Sequence, residues 1–175
     1  MRVCIGGTFN RFHKGHRLLI DTALEKAGSD GFVFIGVSNG SLVKNKPKVE
    51  SFEQRRNQVL LFLQSKKQRL PTVVIEPIKT VEGPTLTMDF DAIVVSEETK
   101  QVAENINEQR KNKGLAMMKI ITIPIVLAED DKKISSSRII HDEIDCEGHV
   151  LWVKINKKWM IWGIKFINRS LLHAR

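Results

Sequence analysis

Only two cysteines, Cys4 and Cys146, occur among the 175 residues, which provides neither a disulfide framework nor a zinc-binding spacing. Long apolar runs are also missing. The longest, such as residues 159–164, fall far short of the roughly 20 residues a helix needs to cross a bilayer. Arg2 is followed by three apolar residues before Gly6 and Gly7, so the start lacks the apolar region of a secretory signal. Together these absences point to a cytoplasmic protein without a transmembrane segment. With 11 Gly, 5 Pro, 27% charged and 42% hydrophobic residues, the chain is neither collagen-like nor disordered. It is long enough for one compact domain with a core and too short for two of ordinary size.

A net charge of +8 suggests nucleic acid, but its distribution argues otherwise. Residues 149–175 contain Lys154, Lys157, Lys158, Lys165, Arg169 and Arg175 and no acidic side chain. The first 148 residues are left with 22 basic against 20 acidic groups, so the body carries no basic surplus and no nucleic-acid partner is expected. All three tryptophans, Trp152, Trp159 and Trp162, lie in the same tail. We therefore divide the chain into a body, residues 1–148, and a basic, Trp-rich extension, residues 149–175.

Along the body, short β-branched runs alternate with helical stretches, and no repeat interrupts them. Strands are predicted at Arg2–Ile5, Phe32–Val37, Val73–Ile75, Ala92–Val95 and Lys119–Val126, with Phe32–Val37, apolar throughout, as the central one. Helices are predicted from Gly15 to Ala27, from Ser51 to Lys66 with Ser51 and Gln54 as a capping box, from Glu97 to Lys113, and from Ser136 to Ile144. Gly114 can terminate the third. This order implies an α/β fold: a doubly wound, Rossmann-like open parallel sheet of about five strands with helices on both faces. Such sheets bind ligands beyond the carboxyl ends of their strands.

Two segments should open onto that edge. After the first strand comes Gly6-Gly7-Thr8-Phe9-Asn10-Arg11-Phe12-His13-Lys14-Gly15-His16, where the glycines let backbone approach a ligand closely and the next helix begins with unpaired amides. His13 and His16 are three apart, so both can face one small volume and donate to phosphate oxygens. A metal pair and two exposed polar residues are the competing readings. The second segment, Ile134-Ser135-Ser136-Ser137-Arg138-Ile139, sets three hydroxyls and a guanidinium at a helix start. There they either cap the helix or hold phosphate, and Arg138 either grips oxygens or forms an ion pair.

The pattern Gly-Gly-Thr-Phe-Asn-x-x-His-x-Gly-His combined with Ile-Ser-Ser-Ser-Arg-Ile resembles the HxGH nucleotidyltransferase superfamily. Asp91 to Thr99, Ile106-Asn107 with Arg110 and Gly114-Leu115, and Ala128-Glu129-Asp130 look like its phosphopantetheine adenylyltransferases of the archaeal and eukaryotic type. The resemblance covers residues 1 to 148. It implies transfer of AMP from ATP to 4′-phosphopantetheine, giving dephospho-coenzyme A and pyrophosphate. It further implies that His16 is catalytic and contacts the α-phosphate, while His13, Ser135, Ser136, Ser137 and Arg138 hold the β- and γ-phosphates. Gly7, Phe9 and Ser96 would line the nucleotide pocket. Thr8 and a loop lysine, Lys44 first and Lys46 second, would position the acceptor phosphate. Mg2+ would arrive on the triphosphate, with no metal site of the protein's own. Asn10, Ser137 and Ile140 depart from the aspartate, threonine and arginine usual at those places. A related enzyme with another phosphate acceptor and a catalytically silent nucleotide-binding module remain as alternatives.

Elsewhere the plainer readings are preferred. Arg55, Arg56, Lys66 and Lys67 read as a solvated helix face, Asp89, Asp91, Asp130 and Asp131 as loop acids, and Cys4 as a core residue. Leu151, Ile155, Trp159, Trp162 and Phe166 recur at helical spacing and suggest an imperfect amphipathic helix, with an added strand as the other reading. Packing of this tail on the protein, or on a second subunit of a homo-oligomer, ranks ahead of contact with a membrane surface.

Overall fold

A computed structural model describes the backbone of residues 1–155, 158–161 and 164–165, with side chains through residue 151. Strands β1 (Arg2–Gly7), β2 (Phe32–Ser38), β3 (Thr72–Ile78), β4 (Ala92–Ser96) and β5 (Lys119–Ile123) form one sheet in the order β3-β2-β1-β4-β5. Every pairing is parallel. The central place belongs to β1. Phe32–Ser38 lies inside the sheet but beside it, a correction to the expectation from its apolar run: burial on both faces makes a strand internal without making it the middle one.

Alternating side chains divide the core. Val3 and Ile5 of β1 and Val33, Ile35 and Val37 of β2 face helices α1 (Lys14–Ala27) and α2 (Phe52–Gln64), while Cys4, Phe34, Ile93 and Val95 face α3 (Lys100–Asn112). Helices therefore cover both faces, and the order of connections reverses between β1 and β4. That switch point leaves a crevice at the carboxyl ends of the two strands.

Local chemistry sets the boundaries. Ser51 accepts from the Gln54 amide while the Gln54 side chain returns to Ser51, so α2 starts at the predicted capping box. β3 tolerates Pro77 because it is an edge strand. β5 stops at Ile123, short of the predicted Val126, because Pro124 cannot continue the ladder. Helix α4 (Ser136–Ile140) is also shorter than predicted: the chain turns through Asp142 at φ 54°, and Ile144 is buried in a bridge to Val150.

Three strands, β6 (Trp152–Ile155), β7 (Lys158–Ile161) and β8 (Ile164–Lys165), follow as an antiparallel sheet. This overturns the amphipathic-helix reading for those residues, since the same apolar and basic alternation also suits a pleated strand. Trp162 and Phe166 lie outside the described residues.

Arg110 illustrates how the loops are fastened. It is fully buried in α3 and donates to the carbonyls of Ala116 (2.7 Å), Met88 (3.1 Å) and Thr85. Nearby, Asn107 pairs with both the amide and the carbonyl of Met118. Replacing Arg110 by Leu leaves three carbonyls without their donor, that of Thr85 buried and those of Met88 and Ala116 part-buried. The expected cost is about 3 kcal/mol, measurable as a fall in unfolding free energy in urea, and a loss below ~1 kcal/mol would contradict this account.

Candidate active site

Between β1 and α1 the chain has no regular structure, and Phe9 (φ 52°) and Arg11 (φ 48°) adopt left-handed backbone that bulky residues avoid. Burial offsets the strain at Phe9. Its ring is fully enclosed in the core and lies against Gly7, where an added Cβ would come within 3.1 Å of it. Gly7 is thus small to admit the Phe9 ring, and Phe9 itself does not line the cavity described below. The second point corrects the sequence reading, which gave the Phe9 ring to the nucleotide pocket.

Three neighbours hold this loop. Arg55, 1% exposed, donates to the carbonyls of Thr8 (2.6 Å), Ser38 (2.9 Å) and Glu50 (2.9 Å). The side chain of Asn10 accepts from the Glu50 amide at 2.9 Å, and the Glu50 carboxylate accepts from the Arg11 amide at 3.0 Å. From the far end of the body, the Ser136 hydroxyl donates to the Asn10 carbonyl at 2.6 Å. Placing Arg55 on a solvated face was therefore wrong. A signal was present: Arg55, Val59 and Leu63 are spaced by four, so the arginine sits on the buried stripe of its helix.

The two histidines form a unit at the start of α1. His13 caps the helix, its Nδ1 accepting from the Gly15 amide at 3.2 Å, and His16 Nδ1 accepts a longer bond, 3.4 Å, from the His13 amide. Their rings stack at 3.8 Å, and His16 also lies against Phe9 and Phe12. Burial, followed by the charges of Arg17 and Lys133, lowers the His13 pKa to about 4. Burial, followed by His13, holds His16 well below its ordinary value. Both rings are neutral near pH 7. With Nδ1 accepting, the remaining proton sits on Nε2 of each, a fixed donor for an anion.

A cavity of about 510 Å³ opens at the switch point. Gly7, Thr8, His13, His16, Lys46, Ser96, Ser135, Ser136 and Ser137 all line it, so residues 120 positions apart share one wall. Ser135 also caps α4 through the Arg138 amide. Besides Phe9, two expected residues are absent. Lys44 is not part of the lining, whereas Lys46 is, with Nζ 2.6 Å from the Thr8 hydroxyl. Nor does Arg138 line it: its guanidinium pairs with Asp130 (2.6 Å) and Glu143 (2.9 Å) and donates to the Lys132 and Lys133 carbonyls. The ion-pair alternative is the one the structure takes, because two carboxylates saturate the fork. Ile140 contributes an apolar patch in place of a cation. Among the described residues, no three His, Cys, Asp or Glu side chains group as a metal site.

A second cavity, about 290 Å³, lies across β1 and is lined largely by apolar side chains, among them Phe34, Leu42, Ile78, Val81 and Val102. The two cavities share Gly6, Gly7, Thr8, Lys46, Val95 and Thr99. The chamber that carries the two histidines and three serines and the one walled mostly by aliphatic and aromatic side chains thus meet at the Thr8–Lys46 contact. No helix among the described residues is long and apolar enough to cross a membrane.

Comparison with known proteins identifies the family and the fold. Residues 4–142 match the model of a family described as cytidylyltransferase-like. The phosphopantetheine adenylyltransferase of Methanosarcina mazei is 40% identical over 151 residues, covering 85% of this chain and 96% of its own, and that of Methanopyrus kandleri is 44% identical over 147 residues, covering 82% and 90%. A solved structure from Archaeoglobus fulgidus, titled as a protein of unknown function, superposes with a TM-score of 0.62 at 34% identity, covering 70% of this chain and 89% of that one. Pantoate-beta-alanine ligase from Francisella tularensis, 16% identical with a TM-score of 0.54, shares the fold over 79% of this chain and 65% of its own.

The depressed His13 pKa makes stability depend on pH. Its unfolded imidazole takes up a proton near pH 6.5 and the folded one only near pH 4, so acid favours the unfolded chain. This contribution is intact above pH 6.5, declines between 6.5 and 4, and by pH 5 has cost about 2 kcal/mol. His13→Asn keeps a capping acceptor without the titration. Urea unfolding at pH 7 and pH 5 should show the variant losing about 2 kcal/mol less than wild type, and identical losses would refute the assignment.

Proposed function

This chain belongs to the cytidylyltransferase-like family and, within it, to the phosphopantetheine adenylyltransferases, and from that membership we propose how its two cavities divide the work. The enzyme transfers AMP from ATP to 4′-phosphopantetheine, giving dephospho-coenzyme A and pyrophosphate, a step of coenzyme A biosynthesis. One observation carries the reading at residue level: the cavity lined by the histidines and serines and the cavity walled mostly by apolar side chains join at Thr8 and Lys46. An acceptor with a long, weakly polar arm ending in a phosphate needs that junction. Its arm would occupy the apolar cavity and its phosphate would lie between the Thr8 hydroxyl and the Lys46 ammonium, facing the nucleotide. Lys46 takes this role in place of Lys44, which is not part of either wall.

No protein nucleophile or base is required, since the attacking oxygen belongs to an ionised phosphate. That oxygen bonds to the α-phosphorus, the bond from the α-phosphorus to the bridging oxygen breaks, and pyrophosphate leaves. Catalysis then rests on holding two anions in line and on donors aimed at the charge that develops. His16 would donate from Nε2 to the α-phosphate. His13 and the hydroxyls of Ser135, Ser136 and Ser137 would receive the rest of the triphosphate, with Gly7 and Ser96 on the nucleotide wall. Neutral histidines suit this role, because they donate without the cost of burying a charge before substrate arrives.

Among the described residues Glu98 is the only carboxylate in the lining of the larger of these two cavities, and it is paired with Lys133. Mg2+ would enter as part of the substrate, carried on the triphosphate and offsetting its charge. Residues 1–148 form the catalytic body in this reading and residues 149–175 an extension to it, although Leu151 still bonds to the Glu143 carbonyl. A cytoplasmic location fits the small, phosphorylated substrates.

Pyrophosphate release from ATP should require 4′-phosphopantetheine and should not occur with nicotinamide mononucleotide or without acceptor; release with another acceptor would assign the site to a different substrate. His16→Ala should lower kcat by roughly 100- to 1000-fold with little change in unfolding temperature, and unchanged turnover would remove His16 from the mechanism. Lys46→Ala should raise KM for the acceptor by roughly tenfold or more, as expected for a lost charge-assisted contact, with KM for ATP nearly constant. Lys44→Ala should change neither, and the reverse ranking would restore Lys44.

A further inference from the structure

Arg138 was the cation expected for the triphosphate, and its guanidinium is committed to Asp130 and Glu143. A chamber that takes four phosphate charges still needs a counter-charge near its serine wall. Two lysines line the chamber. Lys46 stands at the acceptor end, beside Thr8. Lys133 stands at the other end, directly before the segment that carries Ser135, Ser136 and Ser137.

The backbone that presents Lys133 is well fixed. Arg138 donates to its carbonyl at 3.1 Å and to that of Lys132 at 3.4 Å, and Leu127 forms a bridge to Lys133 on the opposite side. Ile134 beneath it is buried, and its amide bonds to the Val126 carbonyl. From this base Lys133 Nζ reaches Glu98 Oε1 at 2.5 Å. Glu98 belongs to the turn after β4 and lines the same chamber. The ion pair therefore spans the chamber from its β4 side to its serine side. Both partners are about half exposed, so the contact adds little stability and exchanges readily. The positive charge of Lys133 also reaches His13, where it helps to keep the imidazole neutral.

We propose that Lys133 binds the β- and γ-phosphates of ATP, and that Glu98, which pairs with it across the chamber, is displaced by the triphosphate. The inference rests on the adenylyltransferase reading and adds to it a residue with a role. A polyphosphate carries more charge than one carboxylate and offers several oxygens, so it wins the ammonium in the competition. Glu98, a like charge beside the arriving anion, then has to turn away. Arg138 acts only as a positioning residue: it supports the main chain from which Lys133 extends.

Isothermal titration of the full-length protein with ATP and with AMP, without acceptor, tests this directly, because AMP lacks the two phosphates in question. Lys133→Met should raise Kd for ATP by about ten- to hundredfold and leave Kd for AMP within about twofold, whereas Lys133→Arg should stay close to wild type. Glu98→Gln should tighten ATP binding by about threefold at low ionic strength, with the gain fading in 0.5 M salt (~4 Å Debye length). In the Lys133→Met background that gain should vanish. Unfolding temperature serves as the fold control, since both side chains are half exposed. Equal weakening of ATP and AMP by Lys133→Met, unchanged ATP affinity, or a Glu98→Gln gain that survives loss of Lys133 would overturn the proposal. Pyrophosphate release by wild type is scored separately, so failure of the acceptor assignment is distinguishable from failure of the lysine assignment.

Discussion

The site depends on one buried guanidinium. Residues 8–13 have no ladder of their own and include two left-handed residues, yet both cavities open on them. Arg55 satisfies the carbonyls of Thr8, Ser38 and Glu50 at once. It thereby joins the end of β1, the end of β2 and the entrance of α2, the three points from which Thr8, Lys46 and Asn10 are placed. A neutral side chain cannot do this, because only arginine has enough donors in one plane to meet three carbonyls arriving from different elements.

Arginine and lysine accordingly have separate duties. Arg55, Arg110 and Arg138 are each consumed by protein: carbonyls in the first two, carboxylates and carbonyls in the third. Lys46 and Lys133 face the cavity and are engaged only by a hydroxyl and a half-exposed carboxylate. A rigid fork suits fixed loops, while a compact charge on a flexible stem suits a ligand that comes and goes. The histidines complete the division, giving directed donors with no resident charge.

The switch point brings the parts together. Reversal of strand order between β1 and β4 opens the crevice, α1 begins there, and the Ser136 hydroxyl closes it by bonding back to Asn10 across 126 positions of sequence. The second cavity lies across β1, so one strand end borders both cavities.

Much of this was written locally. Period-two and helical patterns located every element of the main sheet, the Ser51–Gln54 box marked the start of α2, and the spacing of His13, His16 and Ser135–Ser137 marked the segments that meet in the cavity. These signals are legible because hydrogen bonding and apolar periodicity act over a few residues. Tertiary structure decided the assignments that depend on competition for a partner: Arg138 taken by Asp130 and Glu143, Arg55 drawn inside, Phe9 turned into the core, Lys46 placed on the wall instead of Lys44, and β1 set in the middle of the sheet. A side chain's neighbours across the fold are not encoded in its immediate sequence. A charged group goes wherever desolvation is best repaid, and that balance exists only once the chain has closed.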